Sequence, residues 1–341
     1  MTAMKSTCIY VKAPFQFETR EITLRALGAD EVILKVMACG LCGTDLHVAR
    51  AETETFSPFG HEISGIIEAV GSNVNTFRTG DRVILESGSF CRECATCRNG
   101  RVDLCNDAPN MFSEPAMGFS DYMLVSKECL VPLPDEIAFD EATLIEPLGV
   151  ALDLFYAGEV CLGDDVLVLG LGPIGLMALR LAKLAGARKI YAVDRNRNVK
   201  RKELAMYYGA DEFIGTDDVD LSDYPFSRKP NKVLVTAPPS TIPEAIALVD
   251  RGGTVAFIGI GHEDRMITFD ADAFHFNKTR LHASHAAPAL FFPRCIDLIL
   301  AGQIDIKALI THRFQLAETG AALQQLRDNK ATVIKSVMVN K

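Results

Sequence analysis

Residues 164–194, DDVLVLGLGPIGLMALRLAKLAGARKIYAVD, contain a strand, a glycine turn, a helix and a second strand in direct succession. The apolar run DDVLVLGLG (164–172) is typical of a strand buried on both faces of a parallel sheet. The following segment, 173–187, has proline in its first turn and Gly186 near its end, which are the usual signals for the start and stop of a helix. KIYAVD (189–194) is the next strand, so the stretch predicts a βαβ unit.

The turn between this strand and helix has the spacing of a dinucleotide-binding fingerprint, Gly-x-Gly-x-x-Gly. Gly170 permits the tight turn, Gly172 lets the backbone approach a pyrophosphate, and Gly175 allows close packing of helix and strand. The pyrophosphate would rest on the helix N-terminus. The predicted cofactor-binding turn therefore comprises these glycines together with Pro173 and Ile174.

The end of the second strand indicates which nicotinamide cofactor is used. Asp194 can accept hydrogen bonds from both ribose hydroxyls and would repel a 2′-phosphate, which favours NAD over NADP. Arg195 and Arg197 follow, and either could pair with a phosphate, so NADP remains the alternative. Asp194 and Arg195 complete the predicted cofactor site.

The pattern of predicted secondary structure differs between this βαβ region and the segments before and after it. Strands and helices keep alternating from KIYAVD to TVAFIGIG (254–261), which predicts an α/β class with a doubly wound parallel sheet. Up to about Pro147 the chain instead has short strands between glycine turns, typical of a small all-β barrel or sandwich. Residues 286–341 mix helices with a final strand, KSVMV, and do not clearly continue the parallel sheet.

The length, net charge and hydropathy of the whole chain argue against several classes of protein. The 341 residues favour two domains, and a net charge of −9 argues against a general nucleic-acid or anionic-membrane binder. We find neither a signal peptide nor an apolar run long enough to span a membrane, so we expect a cytoplasmic protein. In that compartment, clustered cysteines are more often metal ligands than disulfides.

Four cysteines in CRECATCRNGRVDLC predict a structural zinc site. Cys91, Cys94, Cys97 and Cys105 can close a tetrahedral thiolate shell that leaves no open position. An iron–sulfur cluster is the alternative, but its bacterial motif has the fourth cysteine after three residues and before proline. Here the fourth cysteine follows after seven residues.

A second pair, Cys39 and Cys42, occurs at the end of another predicted strand. By itself this spacing fits a thioredoxin-like redox motif, half of a zinc site, or one functional cysteine beside an idle one. The other residues of metal-binding type, His61, Glu62 and Glu146, are scattered, and spacing alone does not join them.

Six motifs follow one another along the chain: CGTDLH (42–47), GHE (60–62), GDRV (80–83), the four-cysteine lobe, EPLG (146–149) and GLGPIG (170–175). With these motifs in this order, the chain resembles the zinc-dependent medium-chain alcohol dehydrogenases over essentially its whole length. EPLG and GHE resemble the polyol (sorbitol-type) and threonine dehydrogenase branch. The resemblance implies a GroES-like β-rich catalytic domain (1–150 and 286–341) with a structural zinc lobe at about 88–107. A Rossmann NAD-binding domain (151–285) is inserted within it.

The resemblance also implies a catalytic zinc in the interdomain cleft, and thus two zinc ions per chain. Cys42 and His61 match the constant ligands of the family, Glu62 matches a ligand of the polyol-type members, and Glu146 matches a glutamate that binds zinc directly or through water. Thiolate, imidazole and carboxylate suit zinc, and a catalytic site keeps one position open. Asp45 matches a residue behind the ligands, or caps the helix that starts there.

The implied reaction is the reversible oxidation of a secondary alcohol of a polyol, sugar alcohol or sugar acid to a ketone. Zinc acts as a Lewis acid on the hydroxyl, and the nicotinamide takes the hydride. Thr44 and His47 match the relay that passes the hydroxyl proton to solvent, so they and Glu146 are the predicted catalytic residues. Within the same class of enzyme, the alternatives are a threonine-type amino-alcohol dehydrogenase and a cyclitol dehydrogenase. Outside that class, the alternatives are a thiol redox protein and a non-catalytic NAD-binding protein.

Two features concern the substrate and the assembly. Only eighteen residues separate Cys42 from His61, fewer than is common in the family, which suggests an open cleft for a bulkier alcohol. His285 is our candidate for contacting a substrate hydroxyl, although an interface histidine is an equally good interpretation. Family resemblance implies a homodimer or homotetramer with a small-molecule alcohol or polyol as substrate.

Overall fold

The computed structural model describes residues 4–259 and 265–340. Contacts divide the chain into two compact units: the first holds residues 1–149, 286–329 and 335–341, and the second holds residues 150–285 and 330–334. Ile260 and Gly261, the last two residues of the stretch TVAFIGIG, lie outside the described residues.

The strands of the described chain are, in order, β1 (Lys5–Lys12), β2 (Gln16–Thr23), β3 (Glu31–Gly40), β4 (Ser57–Pro58), β5 (Glu62–Val70), β6 (Arg82–Leu85), β7 (Tyr122–Ser126), β8 (Leu130–Pro132), β9 (Asp165–Leu169), β10 (Lys189–Asp194), β11 (Glu212–Gly215), β12 (Lys232–Val235), β13 (Thr254–Phe257), β14 (Arg280–Ala283), β15 (Ile310–Phe314) and β16 (Lys335–Val339).

The α-helices are α1 (Gly43–His47), α2 (Ala95–Arg98), α3 (Phe139–Ala142), α4 (Ile145–Ala157), α5 (Pro173–Leu184), α6 (Val199–Tyr208), α7 (Ile242–Leu248), α8 (Ala271–Phe276), α9 (Phe292–Leu300) and α10 (Thr319–Asp328). A π-helix, Val48–Glu52, directly follows α1. Short 3₁₀ turns, among them Val102–Leu104 and Leu316–Glu318, fill several connections.

In the second unit, six parallel strands form one sheet in the order β11-β10-β9-β12-β13-β14. When these six strands are numbered 1 to 6 in chain order, their order in the sheet is 3-2-1-4-5-6, that of the doubly wound dinucleotide-binding fold. Every residue of β9 is buried, as expected for a central strand with helices on both faces. The predicted βαβ architecture is therefore confirmed.

In the first unit, most strands pair antiparallel. One sheet has the order β15-β16-β3-β5-β6-β8, with β7 also paired to β3, and a smaller sheet has the order β2-β1-β4. The late strand β16 pairs antiparallel with the end of β3, from Val337 opposite Gly40 to Val339 opposite Ala38. Residues distant in sequence thereby complete a sheet begun near the N-terminus. Among the described residues, no helix combines the length and the apolar character that crossing a bilayer requires.

Candidate functional site

Three side chains of metal-binding type converge where β3 ends and β5 begins. Cys42 lies in the connection from β3 to α1, while His61 and Glu62 lie at the start of β5, whose Glu62 is paired with Gly40 of β3. One ligand atom from each of these three residues lies within 4.8 Å of the others. Register between two adjacent strands therefore brings the scattered cysteine, histidine and glutamate together.

Asp45 contacts two of these three residues, Cys42 and His61. Its carboxylate accepts a hydrogen bond from the Cys42 backbone N–H at 2.8 Å, which caps α1, and its Oδ1 lies 3.8 Å from His61 Nδ1. Asp45 is buried, and burial raises its pKa. Because Nδ1 of His61 faces this carboxylate, Nε2 is the ring nitrogen left to face a metal.

The cluster is strongly charged for its degree of burial. Burial alone would lower the pKa of His61, but the negative charges of Cys42, Asp45 and Glu146 outweigh it and raise that pKa well above its usual value. Glu146, in the first turn of α4, is outside the 4.8 Å set, yet it interacts electrostatically with His61. Burial raises the pKa of Glu146 to about 7. Such clustered, perturbed groups are typical of functional sites.

Lys335 is a site residue that the sequence analysis missed. Its Nζ donates to both carboxylate oxygens of Glu62, at 2.6 and 2.7 Å, and to the backbone carbonyl of Leu41 at 3.0 Å. Both side chains of the ion pair are buried. A lone lysine inside the otherwise apolar run VIKSVMV was the available signal, since a buried lysine requires a partner.

The two predicted relay residues lie on α1. Thr44 is exposed and its Oγ1 lies 3.7 Å from Cys42 Sγ. His47 ends the helix, and its Nε2 lies 3.6 Å from a carboxylate oxygen of Glu52, the last residue of the π-helix. Thr44 is thus beside the metal-type cluster, and His47 lies one turn further along the helix.

The four cysteines of the predicted structural lobe also converge. One sulfur from each of Cys91, Cys94, Cys97 and Cys105 lies within 4.8 Å of the others. Backbone N–H groups of Cys91 and Cys94 donate to sulfur atoms of the cluster, each at 3.3 Å. A hydrogen bond with Thr96 lowers the pKa of Cys94 to about 6, which favours the thiolate that a metal binds.

The predicted nucleotide turn has the backbone geometry that its glycines were expected to supply. Gly170 has a φ of +90°, and Gly172 caps α5 without a side-chain hydrogen bond, followed by Pro173 as the first helical residue. A β-carbon on Gly175 would lie 2.0 Å from the carbonyl oxygen of Gly170, whereas one on Gly172 would meet no atom within 4 Å. Ile174 is half-buried beside them. The open space above Gly172 lies at the N-terminus of α5, where a phosphate group is expected to bind in this type of turn.

Asp194 ends β10 and is tied to its own surroundings by four donors. One oxygen accepts from the Arg195 N–H at 2.7 Å and from Asn198 Nδ2 at 2.8 Å. The other accepts from the Leu171 N–H and from Arg201 Nη1, both at 3.1 Å. Asn198 and Arg201 are further residues that the sequence analysis missed.

His285 is exposed and follows β14 in the second unit. Its neighbour Ser284 donates to Asp153 at 2.5 Å, which fixes the connection after the strand. The role of His285 toward a substrate stays a prediction. Cys39 is buried in β3, and burial raises the pKa of its thiol well above the usual value, which disfavours a reactive thiolate there.

The donor chemistry of both clusters fits zinc. Cys42, His61 and Glu62 offer thiolate, imidazole and carboxylate, the mixed donor types that catalytic zinc sites use. Four sulfurs form the closed set of a structural site.

Two family descriptions match the chain in sequence. Residues 28–135 match the alcohol dehydrogenase GroES-like domain, and residues 173–300 match the zinc-binding dehydrogenase family. The first range contains both metal-type clusters, and the second begins at Pro173, the first residue of α5, which follows the glycine turn.

Similar proteins align over nearly their full length. The sorbitol dehydrogenase of Bacillus subtilis (strain 168) is 32% identical, with 96% of this chain and 97% of that protein covered. The L-idonate 5-dehydrogenase of Vitis vinifera is 30% identical, with coverages of 86% and 84%. A crystal structure from Escherichia coli CFT073, described as a short chain alcohol dehydrogenase complexed with NADH, is 27% identical with a TM-score of 0.89, covering 98% of this chain and 99% of that chain.

Proposed function

Because the chain belongs to the zinc-dependent medium-chain alcohol dehydrogenase family, we propose that it reversibly oxidises a secondary alcohol of a polyol, sugar alcohol or sugar acid to a ketone with NAD. The observation that carries this proposal is the convergence of Cys42, His61 and Glu62 within 4.8 Å, with the buried Asp45 behind them. Relatives named sorbitol dehydrogenase and L-idonate 5-dehydrogenase support the substrate class.

The catalytic metal would be held by Cys42 and His61, with Glu62 as the third ligand of the converging set and Glu146 beside it. Zinc bound there would supply Lewis-acid polarisation of the alcohol, and the nicotinamide would accept the hydride. Asp45 orients the His61 ring, and Lys335 balances the charge of Glu62. The four-cysteine cluster would hold the structural zinc.

The chain's own residues would also move the hydroxyl proton. Thr44 lies beside the ligand Cys42 and can accept a proton from the substrate hydroxyl while donating its own onward. His47, on the same helix, can take the proton because its imidazole can act as a general base. Two side chains of one short helix thus form a route away from the metal.

Asp194 supports NAD as the cofactor. Its carboxylate ends β10 at the point where the ribose of a dinucleotide lies in this fold. Negative charge there disfavours a 2′-phosphate, although Arg195 is adjacent and Arg201 contacts the carboxylate.

The decisive experiment incubates the zinc-loaded protein with NAD or NADP and a panel of hexitols, aldonates, cyclitols and threonine, and follows the reduced cofactor by absorbance. We expect turnover of vicinal diols and a higher kcat/KM with NAD. A Cys39→Ala variant should retain this activity, because Cys39 is outside the cluster.

Other outcomes would assign a different function. Turnover of threonine alone would establish the amino-alcohol alternative. No turnover of any diol by fully loaded protein would refute the polyol assignment. Loss of activity in Cys39→Ala would indicate a thiol redox protein instead.

A further inference from the structure

His47 and Glu52 are brought together by an unusual winding of the chain. The helix α1 continues without a break into the π-helix Val48–Glu52. A π-helix bonds residue i to residue i+5 and is more widely wound than an α-helix, so side chains five positions apart come closer to the same face. In an α-helix of 3.6 residues per turn, the same two side chains would diverge by about 140° around the axis. The local winding therefore determines that Glu52 faces His47.

The contact joins a mostly buried group to an exposed one. His47 Nε2 lies 3.6 Å from Glu52 Oε2, and the two side chains are 17% and 58% exposed. This distance is slightly longer than a direct hydrogen bond, and catalytic contacts often tighten only when substrate is bound. The contact thus leads from a largely buried imidazole to a side chain that is exposed to solvent.

The π-helix is anchored from both ends. The Phe15 N–H donates to the Ala49 carbonyl at 2.7 Å, and the Ala13 N–H donates to the Thr53 carbonyl at 3.0 Å. Thr53 Oγ1 in turn donates to the Val48 carbonyl at 3.2 Å. The bonds from Ala13 and Phe15 tie the π-helix to the β1–β2 turn, and none of these bonds involves the Glu52 carboxylate.

We propose that Glu52 receives the proton that His47 passes outward during alcohol oxidation, which rests on the proposed function. The substrate loses a hydride to NAD from carbon and a proton from oxygen. That proton reaches His47, leaves Nε2–H for the Glu52 carboxylate, and then passes to water, which restores the carboxylate. Glu52 is a positioning and proton-accepting residue that acts through His47.

The first test measures single-turnover rates of alcohol oxidation by the zinc-loaded enzyme with saturating NAD. Glu52→Gln keeps the size and the hydrogen-bonding ability of the side chain but cannot hold the proton. We expect its rate to fall about tenfold, less than the roughly 10²–10⁴-fold contribution of a general acid or base, because water partly replaces it. The KM for the alcohol should stay within about twofold, since no binding contact is lost.

Buffer rescue distinguishes proton transfer from a structural effect. Raising the concentration of a small basic buffer such as imidazole should restore most of the rate of Glu52→Gln and leave the wild-type rate unchanged. Glu54→Gln is the matched control, because Glu54 is an exposed acid two residues further along the chain. It should match the wild type in rate and in buffer response.

A measurement on the resting protein tests the contact without turnover. The ¹⁵N resonances of the His47 ring, assigned by comparison with His47→Gln, should shift in Glu52→Ala, which removes the acceptor. They should shift less in Glu52→Gln, which loses the charge but keeps an acceptor oxygen, and should be unchanged in Glu54→Gln.

Two results would overturn the inference while leaving the proposed function intact: a Glu52→Gln rate equal to that of the wild type, or a reduced rate that buffer does not rescue. Failure of the wild-type enzyme to oxidise any diol would instead refute the proposed function. The two failures are therefore distinguishable in one series of measurements.

Discussion

Lys335 and Glu62 form a buried ion pair at the base of the metal-type cluster. Their side chains are 3% and 1% exposed, and the lysine reaches both carboxylate oxygens. Each charge alone would be very unfavourable in the interior, so the two residues depend on each other. The pair holds Glu62 at a fixed position beside His61.

Removing the lysine should therefore destabilise the protein strongly. We expect Lys335→Met to lower the free energy of unfolding of the metal-free protein by about 3–5 kcal/mol, since it leaves a buried carboxylate without its partner. Lys307→Met is the control, because Lys307 pairs with Glu141 while 69% exposed and should cost less than about 1 kcal/mol. Urea unfolding followed by circular dichroism measures both, and equal losses would contradict the interpretation.

Asp194 provides a second prediction, on cofactor choice. Replacing it with serine removes the charge that repels a 2′-phosphate and releases Arg201 from its ion pair. We expect the ratio of kcat/KM for NADP over NAD to rise about 10–100-fold, since the like-charge repulsion that is lost costs several kcal/mol in full and part of it is screened. Glu203→Gln, an equal charge change on α6, should leave the ratio unaltered. An unchanged ratio in Asp194→Ser would exclude Asp194 as the discriminating residue.

Single residues were predictable where a motif fixes them and unpredictable where only folding creates the contact. Cys42, His61 and Glu62 occur within ordered motifs, and they converge. Lys335 was missed because its partner is 273 residues away and no local pattern connects them. Glu52 was missed because its contact with His47 requires π-helical winding, whereas periodicity arguments assume an α-helix.

At the level of elements, the β9–turn–α5 segment follows directly from the sequence. Strand β10 was predicted with its observed bounds, and α5 was predicted to begin at Pro173. The helix ends at Leu184, three residues before the predicted end, because the chain turns at Gly186 with a φ of +81°. Glycine and proline determine such boundaries because they alone have markedly different backbone preferences.

The glycines of this turn should separate folding from cofactor binding. We expect Gly175→Ala to cost about 1–3 kcal/mol of stability, because its β-carbon would overlap the Gly170 carbonyl and overpacking is unfavourable. Gly172→Ala should change stability by less than about 1 kcal/mol, since its φ of −65° suits alanine, yet it should weaken NADH binding by intruding where the pyrophosphate rests. Thermal unfolding and calorimetric titration with NADH measure the two effects. Equal effects of the two variants on stability would refute the distinction.

At the scale of the whole molecule, the compact units are discontinuous in sequence. Residues from the beginning and the end of the chain form the first unit, and residues 150–285 form most of the second. Local patterns indicate strands and helices, but no local pattern states that a C-terminal strand pairs with β3. Family resemblance supplied only the expectation that residues 1–150 and 286–341 form one domain, because the strand pairing itself depends on long-range contacts.

Metal content tests both clusters in the intact protein. We expect about two zinc ions per chain by elemental analysis, one for each converging set of ligands. Cys97→Ser and His61→Ala should each lower the content to about one ion, since each leaves the other cluster complete. Cys39→Ala should keep the wild-type content, and a wild-type protein with a single zinc would show that one of the two sets does not bind metal.

The pairing of β16 with β3 has a consequence for how the protein is made on the ribosome. Lys335 is synthesised 273 residues after Glu62, which corresponds to roughly 14–55 seconds at translation rates of about 5–20 residues per second. During that interval Glu62 has no countercharge and the end of β3 has no neighbour on one side. The strands of the second unit emerge before β16, so that sheet can form first. The first unit therefore cannot complete this sheet, or pair the buried Glu62 with Lys335, until its last strand has left the ribosome.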